Sequence, residues 1–595
     1  MRRTHQCGQL STDSAGARVI LQGWVNRRRD LGGLVFVDLR DRSGLVQVVI
    51  EPDSATFGDM EVVRSEFIIE VQGIVRLRPK EQRRVRLSES EGLDTGVIEV
   101  VAEKLTVLAE AQTPPFLIDG TVDASEVDEE LRLRHRYLDL RRPEAAHPLL
   151  LRHRITKAIW DYLDSEGFVQ VETPLLTLST PEGARDYLVP SRTEPGSFYA
   201  LPQSPQLFKQ LLMMAGFDRY FQLARCFRDE DLRADRQPDF TQLDIEMSFV
   251  EQEDILALSE GLMHHLIREV LGRELALPFQ QISYREAMDR FGSDKPDLRN
   301  PFELSDLSAA FSNTEFRAFR GALEAGGVVR ALALTGTRLS RRELTQLEEV
   351  AKRRGAKGLA WVQFDGSAPK GPIAKFLGEA EVGALQALVP EGGTVLLVAD
   401  SWTTACTALG AIRTEIPAVI GVELDDCALS FCWVVDFPLL EVEADGTFSY
   451  MHHPFTRARD EDLPLLETDP ARVRAWAYDL VLNGNEIGGG SLRIHRHDVQ
   501  SRMFELLGFT QEEAERRFGF FLRALDYGAP PHGGIAWGLD RLIMILAGAS
   551  SLRDVIAFPK NQRGIDPLTG APAPVEQEQL KELGLELRPT VGEGT

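Results

Sequence analysis

Five short runs of β-branched and apolar residues fill the N-terminal region, and they constrain its fold more than any other feature. Turn residues separate the early runs, at Gly32-Gly33 and at Ser43-Gly44, and predict chain reversals between strands. The runs are residues 18–25, 34–39, 45–50, 67–76 and 97–108. Five strands at this spacing are typical of a small Greek-key barrel of the oligonucleotide-binding (OB) kind. Strand number alone fits another small β-domain equally well.

The length of 595 residues exceeds a single hydrophobic core and predicts about four domains. Apolar residues make up 43% of the chain and charged residues 27%, as in ordinary globular proteins. No run of eighteen apolar residues occurs, so a membrane span is not expected. The first ten residues, MRRTHQCGQL, lack the apolar segment of a signal peptide, which predicts a cytoplasmic protein.

The charge of the chain is unevenly distributed. The formal net charge is −24, which by itself argues against a nucleic-acid partner. Residues 1–112, however, contain 16 basic and 17 acidic side chains and are nearly neutral. Basic residues cluster at Arg27–Arg29 and between Arg76 and Arg86. Because local patches hold phosphates, the N-terminal region remains a candidate for binding nucleic acid.

The cysteines predict neither disulfides nor a zinc site. Five are scattered along the chain, with no CxxC pair, so buried free thiols are expected. They are Cys7, Cys226, Cys406, Cys427 and Cys432.

Changes in composition predict the domain organisation. Residues 113–115 (TPP) break the strand pattern and lead into an acidic linker. A helix is expected from Leu149, ending at Gly167, with the strand FVQVETP after it. Ser340 and Glu343 form a capping box for a helix that should stop near Gly355. The predicted segments are a barrel at 1–112, a linker at 113–147, a main domain in two parts at 148–289 and 431–559, an insertion at 290–430 and an extended tail at 560–595.

Residues 240–249, FTQLDIEMSF, alternate polar and apolar side chains and predict an antiparallel strand with one wet face. The polar face holds Gln242, Asp244, Glu246 and Ser248. A solvated surface strand would explain this pattern. Charged residues of both signs are dense between Cys226 and Gln237, however, which favours a polyphosphate site.

A second segment, LPQSPQLFK at 201–209, predicts a helix that Ser204 caps, with Pro205 at its first position. Gln206 and Lys209 would share one face of that helix. An amide and an ammonium near a helix N-terminus suit a carboxylate or phosphate ligand. Ordinary polarity of an exposed helix is the simpler explanation.

A third segment surrounds the glycine run Gly488–Gly490. Glycines permit close approach of a ligand to the backbone, although a simple turn would also use them. Asp479 and Glu486 carry the hard oxygen ligands that Mg²⁺ takes. Arg493 can hold a carboxylate with two hydrogen bonds.

The fourth segment, residues 533–541, predicts a glycine-rich strand that runs into a helix with Arg541 in its first turn. It matches neither a P-loop nor a dinucleotide fingerprint. The adjacent His452 and His453 suggest a metal site only weakly, because neighbouring strand residues face opposite ways and no third ligand is near.

Three segments in this order resemble the signature motifs of class II aminoacyl-tRNA synthetases. They are GFVQVETP at 167–174, FRDE at 227–230 and GIAWGLDR at 534–541. Longer segments, from GWVNRRRDLGGLVFVDLRD in the N-terminal region to NGNEIGGGSLRIH near residue 490, are similar to bacterial-type aspartyl-tRNA synthetases of subclass IIb. The resemblance covers nearly the whole chain and is weakest at 300–430 and in the tail.

The resemblance implies an α+β multidomain enzyme, an aspartate–tRNA ligase. It would convert L-aspartate and ATP into aspartyl-adenylate and then charge the 3′-terminal adenosine of tRNA-Asp. An OB barrel would bind the anticodon, and an antiparallel sheet flanked by helices would form the catalytic domain at 148–289 and 431–559. The insertion would be the extra α/β domain of bacterial members. The motif around Pro174 would lie at a homodimer interface.

The resemblance also assigns residues, by their numbers in this chain. Catalytic roles fall on Arg228, Arg541, Asp479 and Glu486, the last two as Mg²⁺ ligands. The ATP site would comprise Arg228, Asp229, Glu230, Gln237, Glu486, Gly538, Leu539, Asp540 and Arg541. The aspartate pocket would comprise Glu182, Gln206, Lys209, Arg228, Asp244, Glu246, His452, Ser491 and Arg493. The anticodon contacts would be Arg29, Leu31, Phe36 and Gln47.

Alternatives stay open at this point. A related asparaginyl- or lysyl-tRNA synthetase is one, although Lys209 with Arg493 favours an anionic substrate side chain. A synthetase-like RNA-binding protein without activity is another, but it would be expected to lose Arg228 or Arg541. Leucine at position 31 resembles enzymes that charge only tRNA-Asp. An enzyme that also charges tRNA-Asn is the remaining alternative.

Overall fold

The computed structural model describes residues 3–54, 57–58, 62–83, 94–180, 183–233, 235–366 and 368–588. The chain forms two compact units. One comprises the described residues of 1–153, 232–237 and 543–575, and the other comprises those of 154–231, 238–542 and 576–595. The domain limits predicted from the sequence stay a prediction.

The N-terminal region is a closed five-stranded barrel, which confirms the predicted OB fold. Its strands are β1 (Arg18–Leu31), β2 (Leu34–Asp41), β3 (Gly44–Ile50), β4 (Ile68–Leu77) and β5 (Ile98–Ala109), paired in the order β1-β2-β3-β5-β4. Gly32 and Gly33 have positive φ values of 60° and 88° at the β1–β2 turn, a conformation that glycine adopts without strain. Alternate strand residues such as Val35, Val37 and Leu39 are buried in the barrel core.

Three helices follow the barrel: α1 (Glu129–Arg134), α2 (Arg136–Asp139) and α3 (Pro143–Ser165). The start predicted for the long helix was wrong, because α3 begins at Pro143 rather than at Leu149. Proline is well tolerated at the first position of a helix, where its missing N–H has no helical partner. Gly167 has a φ of 78° just after the helix. The strand predicted there is also shorter than expected, since only Val169–Gln170 pairs, with Tyr220 and Phe221.

The second unit is built around an eight-stranded sheet. Its first strands and helices are β6 (Val169–Gln170), β7 (Leu188–Pro190), β8 (Phe198–Ala200), α4 (Gln206–Met214), β9 (Arg219–Phe227), β10 (Asp239–Ser248), α5 (Gln252–Leu271), β11 (Gln280–Ser283) and α6 (Tyr284–Phe291). Helix α4 begins at Gln206, with Pro205 as its N-cap, one residue later than predicted; the Ser204 Oγ accepts a hydrogen bond from the Gln206 N–H at 3.3 Å.

The inserted segment forms a separate five-stranded antiparallel sheet with helices, which agrees with the expected α/β insertion. Its elements are β12 (Leu304–Asp306), α7 (Arg317–Glu324), β13 (Val328–Thr335), α8 (Arg341–Arg353), β14 (Ala360–Phe364), β15 (Pro369–Lys370), α9 (Glu379–Leu388), β16 (Gly393–Asp400) and α10 (Trp402–Ile420). The capping box of Ser340 and Glu343 is present at α8, so that prediction is confirmed.

The chain then returns to the large sheet. The remaining elements are β17 (Phe431–Val435), β18 (Leu440–Val442), β19 (Phe448–Tyr450), α11 (Leu465–Thr468), β20 (Ala477–Leu482), β21 (Asn485–Leu492), α12 (His497–Leu506), α13 (Gln511–Asp526), β22 (His532–Gly538), α14 (Leu539–Leu546), α15 (Leu552–Val555) and α16 (Gln577–Glu582). The strand order is β11-β17-β20-β21-β22-β10-β9-β6. Pairing is antiparallel throughout the centre and parallel at the two edges, β11–β17 and β6–β9.

The predicted extended tail at 560–595 is partly wrong. Asn561 is 7% exposed, its side chain accepts hydrogen bonds from the backbone of Arg563 and Ile565, and α16 adds a helical turn. Burial of hydrogen-bonded polar groups orders this stretch despite its glycine- and proline-rich composition. Among the described residues, no helix is long and apolar enough to cross a bilayer.

Candidate active site

Two cross-strand rows bring distant segments together in the centre of the large sheet. In one row, Asp244 of β10 pairs with Ala536, which pairs with Gly489, which pairs with Asp479. The second row, from Glu246 through Gly534 to Ser491, lies two residues along on β10, β22 and β21. Side chains two residues apart on a strand point to the same face. The register therefore collects these carboxylates and the Ser491 hydroxyl on one face of the sheet.

Four charged side chains form a buried network on this face. Glu246 binds Arg493 with both oxygens, at 2.9 Å to Nε and 3.0 Å to Nη2. The Lys209 ammonium lies 3.0 Å from Asp244 Oδ1 and 3.4 Å from Glu246 Oε2. All four side chains are at most 2% exposed. The expectation that the polar face of β10 is wet was therefore wrong, because α4 and the neighbouring strands supply cations that cover it.

The pKa values of the two carboxylates in the network shift in opposite directions. Burial acts to raise the pKa of Glu246, but Arg493 and Lys209 outweigh it and hold that pKa below its usual range. Burial raises the pKa of Asp244, and the Lys209 ammonium only partly offsets this effect. The Asp244 Oδ2 atom and the Gln206 Nε2 atom are buried without a hydrogen-bond partner among the described residues. An acceptor and a donor are thus available to a bound molecule.

The histidine pair divides between two sets of partners. His452 Nε2 lies 3.2 Å from Asp479 Oδ1, whereas His453 Nε2 lies 2.5 Å from Arg493 Nη1 and 3.4 Å from Ser491 Oγ. Burial and the nearby Arg493 lower the pKa of His453 well below its usual range, so it is neutral. Sequence reasoning assigned His452 to the pocket and missed His453, although the two adjacent histidines were the available signal.

Asp479 and Glu486 form a carboxylate pair beside the network. Burial and the charge of Glu486 raise the pKa of Asp479 to about 6. A Cβ atom at Gly489 would lie 2.7 Å from Asp479 Oδ1 and 3.7 Å from Glu486 Oε1. The absence of a side chain at Gly489 therefore leaves space between the two carboxylates. The glycine run lies within β21 and not in a turn. Hard oxygen donors in this arrangement fit a divalent cation such as Mg²⁺.

Arg541 contacts Glu486 of this pair, and Arg228 follows directly after strand β9. Arg541 Nη1 donates to the Glu486 carbonyl oxygen at 2.7 Å. The Arg228 guanidinium stacks over Phe240, 5.0 Å from the ring centroid, and its buried Nε has no hydrogen-bond partner among the described residues. Strand β22 runs into α14 as predicted, through Gly538 and Leu539. The Asp540 carboxylate accepts a hydrogen bond from the Thr241 N–H at 2.8 Å.

The other predicted ATP and aspartate residues have their own surroundings. Asp229 pairs with Arg185 of the loop that precedes β7, at 3.5 Å, and Glu230 is half-buried beside it in sequence. Gln237 exchanges hydrogen bonds with the Lys560 backbone at 2.9 and 3.0 Å in the first unit. Glu182 lies outside the described residues.

The predicted anticodon residues lie on the barrel. Phe36 faces Arg29 across β1 and β2, and it lies outside the core cluster, half-buried. Leu31 is 60% exposed. Gln47 is 6% exposed and donates to Glu99 at 3.0 Å, while its oxygen lies 3.4 Å from Arg29 Nη2. Arg29, Phe36 and Gln47 therefore share one outer face of the barrel. Within the described residues, no cluster of three or more His, Cys, Asp or Glu side chains suits a metal ion.

Comparisons with known proteins agree with this fold. The family model described as tRNA synthetases class II (D, K and N) matches residues 128–562, and that of the OB-fold nucleic acid binding domain matches residues 19–108. The chain therefore belongs to the class II tRNA synthetases. A solved structure of asparaginyl-tRNA synthetase from Pyrococcus horikoshii superposes with a TM-score of 0.59 at 19% identity, over 94% of this chain and 98% of that one; it shares the fold.

Closer relatives narrow the family. An aspartate–tRNA(Asp/Asn) ligase of Moorella thermoacetica is 56% identical over 98% of this chain and 97% of its own length. An aspartate–tRNA(Asp) ligase of Deinococcus radiodurans is 53% identical over 99% of this chain and 100% of its own length. Within the class, the chain belongs to the aspartate–tRNA ligases.

Proposed function

We propose that the chain activates L-aspartate with ATP and transfers it to the 3′-terminal adenosine of tRNA-Asp. The observation that carries this proposal is the buried network of Lys209, Asp244, Glu246 and Arg493 beside the Asp479–Glu486 carboxylate pair. The first cluster suits a small zwitterion with a second carboxylate, and the second suits a metal-bound polyphosphate. The two substrates of the first step thus have adjacent sites.

The buried partnerless atoms support aspartate as the ligand. Asp244 Oδ2 is an acceptor for an α-ammonium group, and Gln206 Nε2 is a donor for a carboxylate. One edge of the Arg493 guanidinium donates hydrogen bonds to Glu246, and Nη1 points towards Ser491 and His453. A carboxylate can accept charge-assisted hydrogen bonds from that nitrogen and from Lys209. The amide of asparagine would instead turn its NH₂ group towards a cation.

Arg228 and Arg541 would neutralise the phosphates of ATP. The aspartate carboxylate attacks the α-phosphorus and pyrophosphate leaves, a reaction that needs positioning and positive charge rather than a base. The stacking of Arg228 on Phe240 holds its guanidinium in place before ATP binds. Asp479 and Glu486 would hold Mg²⁺, which when bound supplies further positive charge to the phosphates. In the second step the 3′-hydroxyl of tRNA attacks the adenylate carbonyl.

The barrel would recognise the anticodon. Phe36 and Arg29, on one outer face, offer a ring for stacking and a cation for phosphate or base edges. Gln47 is hydrogen-bonded to Glu99, so a base contact would require it to exchange that partner. Leu31 favours specificity for tRNA-Asp over tRNA-Asn. We further propose that the chain forms a homodimer through the motif around Pro174. We also propose a cytoplasmic location.

Aspartate-dependent exchange of pyrophosphate into ATP tests the first step, with asparagine and lysine as controls. We expect exchange with aspartate alone; exchange with asparagine or lysine at comparable kcat/KM would contradict the pocket assignment. Charging of purified tRNA-Asp and tRNA-Asn transcripts with labelled aspartate tests the second step. Comparable kcat/KM on both transcripts would identify the non-discriminating alternative.

A further inference from the structure

Lys295 is a cation beside the Asp479–Glu486 carboxylate pair, and it is not among the predicted site residues. Lys295 Nζ lies 3.3 Å from Glu486 Oε2 and 3.7 Å from Asp294 Oδ2. Its side chain is 44% exposed, so the ammonium contacts Glu486 and still reaches solvent. Glu486 also accepts the hydrogen bond from Arg541 through its carbonyl oxygen. Two cations therefore meet at this residue, one on its side chain and one on its backbone.

We propose that Lys295 is a further polyphosphate-binding residue of the activation step. It holds the Glu486 carboxylate in the substrate-free enzyme, and its ammonium moves to the β- and γ-phosphates when ATP arrives with a divalent cation. A carboxylate that binds the cation no longer needs the ammonium, and the released charge adds to that of Arg541, which also acts on the Glu486 carboxylate. This inference rests on the proposed function and names a contact of that same site.

The exposure and flexibility of the Lys295 side chain support this role. A lysine presents a compact point charge on a flexible chain, so it can exchange a carboxylate for a phosphate oxygen without a backbone movement.

Helix α10 holds the segment around Lys295 in position. Residues 292–300, the Lys295 segment, begin at Gly292, which packs directly on Gly410 of α10; a Cβ atom at either glycine would overlap the backbone of the other. Arg413 of α10 donates to the carbonyl oxygens of Asp297 and Asn300, at 2.9 and 2.7 Å. Helix α10 thus braces the segment from one side.

The other side of the Lys295 segment contacts the main sheet. Gly484, in the turn between β20 and β21, approaches Asp297 so closely that a Cβ atom there would lie 3.0 Å from the Asp297 Cβ. Glu486 follows two residues later on β21. The segment therefore connects α10 of the insertion to the strand that carries Glu486, which gives the insertion a positioning role in ATP binding.

Lys295→Met and Lys295→Arg test the phosphate contact. With Mg²⁺ held constant, we expect Met to weaken ATP binding in calorimetry about tenfold, the loss of one charge-assisted hydrogen bond, and Arg to keep most of the affinity. The KM for aspartate and the melting temperature should stay unchanged. Lys352→Met is the matched control, because Lys352 forms an exposed ion pair with Glu348 at 2.7 Å within the same insertion.

Several outcomes would overturn the assignment. Unchanged or tighter ATP binding by the Met variant would mean that Lys295 only occupies the place of the metal. Equal losses for aspartate and ATP would mean general damage. A wild-type enzyme without aspartate-dependent exchange would instead overturn the proposed function, so the two failures are distinguishable.

Gly410→Ala tests the positioning role of the insertion. The added methyl group must displace the Lys295 segment, and we expect ATP affinity to fall while aspartate affinity holds. In a double-mutant cycle with Lys295→Met the two losses should not add, because both act through one side chain. Additive losses, or a lower melting temperature with unchanged ATP affinity, would show that the glycine contact serves folding alone.

Discussion

Replacing Glu246 by glutamine should damage both the fold and aspartate binding. Both carboxylate oxygens of Glu246 face cations: Oε1 accepts from Arg493 Nε at 2.9 Å, and Oε2 accepts from Arg493 Nη2 at 3.0 Å with Lys209 Nζ at 3.4 Å. Whichever way the glutamine amide turns, its NH₂ group meets an N–H donor of a buried cation. The substitution therefore leaves a charge and a donor unsatisfied in a site that is almost fully buried.

The magnitude follows from this geometry. Removing one partner of a buried ion pair costs about 3 kcal/mol or more, which lowers the melting temperature of a unit of this size by about 4 °C. Arg493 and Lys209 also lose the group that orients them, so kcat/KM for aspartate should fall about a hundredfold. The KM for ATP should change much less.

Glu260→Gln is the matched control. Glu260 is also a buried carboxylate, but the Trp433 Nε1 and the Phe279 N–H both donate to its Oε1, at 2.9 and 3.0 Å. Glutamine can keep that oxygen as acceptor and direct its NH₂ group elsewhere. Thermal melting and pyrophosphate exchange on both variants check the reasoning. A Glu246→Gln enzyme that melts and binds aspartate like the control would refute it.

Three further predictions follow from the site and the barrel. Arg228→Ala should abolish adenylate formation with little change in melting temperature, since among the described residues the guanidinium makes only a stacking contact with Phe240. Near-normal exchange, or an equal loss in the exposed Arg225→Ala control, would contradict its phosphate role. Phe36→Ala should reduce tRNA charging, by about 1–3 kcal/mol for one lost stacking contact, and spare tRNA-independent exchange; a lower melting temperature instead would indicate a packing role. Gly534→Ala should raise the KM for aspartate, because its Cβ atom would overlap the Glu246 carboxylate; an unchanged KM would show that the strand can move aside.

Local patterns in the sequence determined the elements of this fold. The five apolar runs of the N-terminal region predicted the strands of the barrel, and the Ser340 capping box located the start of α8. Such features depend on neighbours in sequence, so periodicity and capping chemistry are sufficient to predict them. The motif resemblance likewise selected side chains that the structure brings to one sheet face, including Asp244 and Ser491.

Only the tertiary structure decided how these side chains are paired. Glu246 and Arg493 are 247 residues apart in sequence, and the register of β10, β22 and β21 makes them partners. Because of that register, the polar face of β10, which was predicted to be wet, forms part of a buried charge network. His453 contacts Arg493 of this network. Lys295 carried no recognisable pattern, because the contacts that hold it come from α10 and Gly484. Charge pairing and burial are properties of long-range packing, and no local pattern in the chain encodes them.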